Sequence, residues 1–225
     1  MAALKQGRRD MSGAQELKKS SRRTQAERTA LSDERMFDAA IQLINERGTE
    51  KTTLKDIGEL AGYSRGLANS RFGSKEGLML RLFEQFDGRW KDHLNSYVSA
   101  KTGIAAIKAA ANALRDFLKR ESSYMRAMYI LWYESLGQES VVRNRLAHHH
   151  RVYREDATDW IRKGIEMGEI DESIDAEQFA VQFCAFMFGT IYQWLVNAEA
   201  LDLDALFGEY EVNVEKLLAK REAVQ

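Results

Sequence analysis

The sequence predicts an all-α protein of about nine helices, a compact N-terminal unit followed by a bundle of longer helices. Three observations predict it. None of the 225 residues is proline, against ~5% in average proteins, so no ring interrupts a helix. Apolar residues recur at three- and four-residue steps, and Ser, Thr or Asp followed by Gly punctuates the chain where helices begin and end.

Taken in order, Ser32 with Asp33 and Glu34 makes a helix start, and Met36, Phe37, Ala40, Ile41 and Ile44 recur at helical spacing as far as Gly48. Thr53 opens a second, two-turn helix with Asp56 three residues on and ends at Gly62. Ser64 caps a third short helix through Phe72, and Ser74 caps a fourth, residues 75–98, whose stripe is Leu78, Leu82, Phe83, Phe86 and Trp90. Further helices are predicted near 103–120, 123–136, 139–168, 175–199 and 203–221. The expected domains are a basic flexible arm at 1–31, a unit at 32–80 and a larger one at 81–225.

Charge is unevenly spread behind a net of −1. Residues 1–80 hold 15 Lys and Arg against 11 Asp and Glu, and the remainder 18 against 23, so the two parts carry +4 and −5. Much of the excess lies in the arm, in Lys5, Arg8, Arg9, Lys18, Lys19, Arg22, Arg23 and Arg28. Such a segment suits a polyanion, because neutralised phosphates release counterions, or it is a solvated tail. Cys184 stands alone, which excludes an internal disulfide or a Cys-rich zinc site and fits a reducing compartment. With no secretory leader legible, and with Phe183 to Val196 read as too short and interrupted to span a bilayer, the expectation is a cytoplasmic protein without a membrane partner.

The densest pattern is Thr53 to Phe72, T-L-K-D-I-G-E-L-A-G-Y-S-R-G-L-A-N-S-R-F. It reads as two short helices around a tight turn at Gly62, with Gly58 where they cross and Ile57, Leu60 and Leu67 or Ala68 as a shared seam. This is helix-turn-helix logic. Its second helix would present Arg65 and Asn69 to base edges, and Ser64 and Ser70 to phosphates. An αα-hairpin within a bundle would carry a similar pattern.

The run R-F-G-S-K-E-G-L, Arg71 to Leu78, following A-G-Y-S-R-G and a first helix ending in E-R-G at Glu46 to Gly48, resembles the DNA-binding domain of TetR-type transcriptional regulators over about residues 32–80. The resemblance implies an N-terminal three-helix helix-turn-helix DNA-binding domain joined to a C-terminal helical ligand-binding and dimerisation bundle. It also implies a repressor that binds a palindromic double-stranded operator as a homodimer and is released by a small hydrophobic or aromatic effector. Its DNA-binding residues would be Thr53, Ser64, Arg65, Gly66, Leu67, Asn69, Ser70, Arg71, Phe72 and Lys75. The chain departs from the family's Leu-Tyr-x-His-Phe, with Ala68-Asn69-Ser70-Arg71-Phe72 in its place. The backbone-packing aromatic is missing, and Arg71 offers a guanidinium for a phosphate instead.

The ligand pocket is expected among Phe86, Trp90, Met125, Met128, Tyr129, Trp132, Tyr133, Phe183 and Met187, an aromatic and Met-rich set able to line an adaptable apolar cavity. Arg126 and Arg143 are the candidates to meet an acidic group. A dimer interface is expected at Phe179, Phe186, Thr190, Trp194, Leu206, Tyr210, Val214 and Leu217. His148, His149 and His150 point about 100° apart on a helix and do not converge on a metal; solvated or pocket-edge histidines are expected. No metal, cofactor or catalytic constellation is legible. A non-specific DNA-binding protein and a helical-bundle enzyme or carrier are the competing classes.

Overall fold

In the computed structural model, residues 24–137 and 139–220 are described. Among them are nine α-helices: α1 Gln25–Arg47, α2 Leu54–Leu60, α3 Arg65–Phe72, α4 Lys75–Val98, α5 Gly103–Arg120, α6 Ser122–Glu134, α7 Val141–Glu166, α8 Ala176–Val196 and α9 Leu203–Leu218. The only β-type pairing among them is an isolated bridge between Ile170 and Ala219. Side-chain caps account for most of the starts: Thr53, Ser64, Ser74, Ser140, Asp175 and Asp202 each accept an amide of the first turn.

The first helix starts earlier than expected. Its cap is Thr24, in a reciprocal capping box with Glu27, and not Ser32. Ser32 lies buried in mid-helix and donates its hydroxyl to the Thr29 carbonyl at 2.8 Å, so its local cap signal is overridden by packing. Residues 25–31 are therefore helical rather than part of a flexible arm. The other arm cations, Lys5 to Arg23, lie outside the described residues.

Helices α1 to α3 enclose a small core of Phe37, Ile44, Ile57, Ala68 and Phe72, which continues through Leu78 and Phe83 of α4 into the larger bundle. α4 is shared by both units. It packs beside α3 at its start and against α5 and α7 further along, so the expected domain boundary at residue 80 falls inside one continuous helix. A second seam joins α1 to α6, where Asn45 Nδ2 donates to the carbonyl and hydroxyl of Ser123 at 2.9 and 3.0 Å.

α8 corrects an expectation. The helix spans 21 residues with a mean hydropathy of 1.4 in its most apolar window, long and apolar enough to cross a membrane. Its Ala180, Phe183, Cys184, Met187, Ile191 and Leu195 are instead buried in the bundle, mainly against α7, as in a core helix apolar on more than one side.

Candidate nucleic-acid interface and ligand cavity

α2 and α3 are set by a backbone contact. A Cβ on Gly58 would stand 3.1 Å from the Ser64 carbonyl oxygen, which only a glycine accommodates freely, and Gly62 turns the chain at φ +79°. Ile57 and Ala68 form the buried seam, whereas Leu60 is 47% exposed and stands outside it.

With Ala68 and Phe72 turned inward, α3 leaves Arg65, Gly66, Asn69 and Ser70 exposed. Arg65 and Asn69 lie one turn apart on one face. Neither side chain has a hydrogen bond or ion pair among the described residues. Ser64 is exposed but its hydroxyl caps α3 at Leu67. Leu67 is half-buried and packs against the core.

Three of the expected DNA contacts are occupied within the chain. Phe72 is buried against Phe37, ring centroids 5.6 Å apart, so it is a core residue. Arg71 Nε pairs with Asp33 at 3.0 Å and ties α3 to α1. Lys75 Nζ donates to the carbonyls of Thr49 and Glu50 at 3.0 and 3.2 Å, closing the end of α1 on the start of α4. Thr53 is exposed and its hydroxyl donates to Asp56 at 2.9 Å; this bond and the Arg47 guanidinium hold the Asp56 carboxyl below its usual range. The same Thr49 receives α6: its amide donates to Glu134 at 3.0 Å and its hydroxyl to the same carboxylate.

The second site is an apolar cavity of ≈ 60 Å³ walled by α4, α5, α6, α7 and α8. Of the expected lining, Phe86, Trp90, Met125, Trp132, Phe183 and Met187 face it. Met128 is fully buried but faces elsewhere, Tyr129 donates its hydroxyl to the Phe188 carbonyl at 3.2 Å, and Tyr133 is 51% exposed. Arg126 lines a shallow outer groove and Arg143 is exposed, so neither meets the cavity.

Sequence reading missed Tyr153, Asp156 and Trp160, which bring α7 into the lining together with Leu94 of α4. Their i, i+3, i+7 spacing was the available signal. Asp156 is the carboxylate of this wall. Burial first, then Asp159 and Glu155, push its pKa up.

The histidines divide. His149 is buried at the edge of a groove rather than solvated, with Nδ1 2.7 Å from Asp87, which also pairs with Arg145 and so joins α4 to α7. Burial lowers the His149 pKa despite that carboxylate. His150 stacks near Phe188 at 4.6 Å, and burial lowers it to about 4. His148 meets Arg151 at the surface. No group of three potential metal ligands occurs among the described residues.

Comparison with known proteins converges on one assignment. Residues 37–82 match the family model "Bacterial regulatory proteins, tetR family", and residues 103–206 match "Tetracyclin repressor-like, C-terminal domain". The chain belongs to the TetR family of bacterial transcriptional regulators. The chain is similar to the HTH-type transcriptional regulator TtgR of Pseudomonas putida, 26% identical with 75% of this chain and 82% of the relative covered. The fatty acid metabolism regulator protein of Bacillus subtilis is 24% identical, with 76% and 87% covered. Among solved structures, a Bacillus subtilis FadR in complex with stearoyl-CoA superposes with TM-score 0.71 at 19% identity, covering 82% of this chain and 98% of that one. A SmeT–triclosan complex gives 0.68 at 20% identity, covering 84% and 92%. These superpositions establish the TetR-type fold: an N-terminal helix-turn-helix domain and a C-terminal helical domain.

Proposed function

We propose that this TetR-family regulator is a cytoplasmic repressor whose homodimer reads a near-palindromic operator and lets go when a small hydrophobic effector enters the cavity. The observation that carries the reading is the continuity of α4. Lys75 at one end is bonded to the turn that precedes α2, and Phe86, Trp90 and Leu94 further along are cavity wall. A ligand that moves the wall moves the helix-turn-helix. By linkage, the effector weakens operator binding by the same factor that operator weakens effector binding. The related structures named for stearoyl-CoA and triclosan complexes support an effector of largely apolar character.

On this reading Arg65 and Asn69 read bases, with Gly66 and Ser70 beside them, and the groove is entered by α3. The 32–80 unit binds DNA and 81–225 holds the effector and the partner. Of the residues anticipated by spacing for the dimer, Phe179, Thr190 and Val214 are buried in the subunit's own core and Phe186 stacks on Tyr210 at 4.0 Å. Trp194, Leu206 and Tyr210 are half-buried and only Leu217 is freely exposed. The exposed apolar stripe on α8 is Val181, Ala185, Tyr192 and Val196, with Val212 on α9. That stripe is our dimer face.

Selection of bound sequences from a random duplex pool at about 150 mM salt tests the reading, because non-specific attraction is weakened there. Enrichment of an inverted repeat, bound by a species of twice the chain mass, is the expected result. Salt-sensitive binding without enrichment would replace it with non-specific DNA binding.

A further inference from the structure

We propose that the effector is a lipophilic amine whose apolar body occupies the cavity and whose protonated nitrogen rests at Asp156; this rests on the effector reading above. Behind α4 and α7 lies a groove of ≈ 310 Å³, and Trp90, Leu94, Tyr153 and Asp156 line both it and the cavity. These four residues are thus the wall shared by a groove with polar lining and an apolar interior. A molecule spanning the wall places its apolar part inside and its polar part at Asp156.

The chemistry of that wall selects the head group. Asp156 has no hydrogen bond or ion pair among the described residues. Its half-burial among Asp159 and Glu155 disfavours its anion, with only Lys91 opposing, so a cation brought to it relieves an existing penalty. No Lys, Arg or His lines the cavity itself. In the groove, Arg145 and His149 are already committed to Asp87, His148 meets Arg151, and Lys91 is exposed on the outer side. A carboxylate ligand would therefore face Asp156 without a cation inside the cavity. Trp90, Trp132, Tyr153 and Trp160 supply aromatic rings around the same space, the setting that favours an organic cation.

A second, independent observation marks the same place. The Tyr153 hydroxyl, one helical turn from Asp156, is buried with no hydrogen-bond partner among the described residues, as are Trp90 Nε1 and Trp132 Nε1. Buried polar atoms are ordinarily paired. The phenol oxygen can accept an ammonium N–H, and the indole donors suit an ether, hydroxyl or carbonyl on the body of the ligand. At ≈ 60 Å³ the cavity holds only a few waters, so a ligand of useful size must spread Trp90 and Leu94 from Tyr153 and Asp156, which acts directly on α4.

The test compares 4-phenylbutylamine, 4-phenylbutan-1-ol and 4-phenylbutyrate, one body with three head groups, on the full-length protein by calorimetric titration and tryptophan fluorescence at neutral pH. The amine should bind at least about tenfold more tightly than the alcohol. Asp156→Asn should bring the amine down to the alcohol's affinity while leaving alcohol binding within about twofold. Equal or tighter binding of the alcohol or the carboxylate, or a preference that survives Asp156→Asn, overturns the amine assignment and leaves the effector cavity standing. Failure of all three to bind at millimolar concentration removes the cavity as an effector site, and the inference with it.

Discussion

Replacing Phe72 separates two roles that a motif cannot distinguish, contact with DNA and support of the helix that makes contact. The side chain is 7% exposed and packs on Phe37 at 5.6 Å. Burying a Phe of ~150–200 Å² at ~25 cal/mol per Å² gives about 4–5 kcal/mol, with up to ~1 kcal/mol for the aromatic pair. Partial collapse of the site offsets some of this, so Phe72→Ala should cost about 3–4 kcal/mol. Phe72→Leu, which keeps most of the volume, should cost about 1–1.5 kcal/mol. Urea unfolding followed by circular dichroism gives the stability, and fluorescence anisotropy on a selected duplex gives the affinity. The expected pattern is that Phe72→Leu keeps operator affinity within about threefold below its unfolding transition, while Phe72→Ala loses affinity in step with helix-turn-helix structure. An Ala variant of unchanged midpoint that no longer binds DNA would refute the core assignment.

Other consequences are as direct. Arg65→Ala and Asn69→Ala should leave the urea midpoint within about 0.5 kcal/mol, as exposed substitutions do, yet each should weaken the preferred duplex by about 1–3 kcal/mol relative to one altered at the base it reads; uniform weakening across sequences would assign them to phosphates. Gly58→Val should destabilise by about 1–3 kcal/mol, because the Cβ alone meets the Ser64 carbonyl at 3.1 Å, and an unchanged thermal midpoint would contradict the close crossing. Because the folded His150 pKa is lowered to about 4, the unfolded chain takes up that proton first as pH falls below ~6.5. Its contribution is present above ~6.5 and lost down to about 4. His150→Gln should flatten the stability loss between pH 6.5 and 4.5 by about 1–2 kcal/mol, and an unaltered pH profile would show that another group controls it.

Much of this protein is readable without coordinates wherever the cause is local. Apolar spacing places helices α2 to α9, and hydroxyl or carboxylate caps mark the starts of all of these but α5 and α6, because a cap and a stripe act within a few residues. The polar pair Arg65 and Asn69 is equally legible from the one-turn spacing on a short capped helix. Where a competing contact lies far along the chain, the local signal misleads. Ser32 looks like a cap, but α1 is longer and packing buries it. Arg71 looks free for a phosphate until Asp33, 38 positions earlier, is brought to 3.0 Å. Phe72 sits amid exposed polar neighbours on α3 and turns to Phe37.

The cavity marks the same division more sharply. Composition indicates an aromatic, Met-rich interior, and six of the nine expected residues face the space. Which side of α7 joins them, and that a lone carboxylate comes with it, depends on the rotation of that helix against α4 and α8. Phe179, Thr190 and Val214 turn into the subunit's own core for the same reason, since a helix apolar all round has no sequence signature for which face its own bundle takes. Sequence by itself determined the helices, most of their ends and the exposed polar pair Arg65 and Asn69, all effects of neighbours within a turn or two. Tertiary structure decided which polar groups are already paired, which apolar faces are left over, and that Asp156 stands in the cavity wall without a partner among the described residues, because burial and pairing are properties of segments that meet only when the chain is folded.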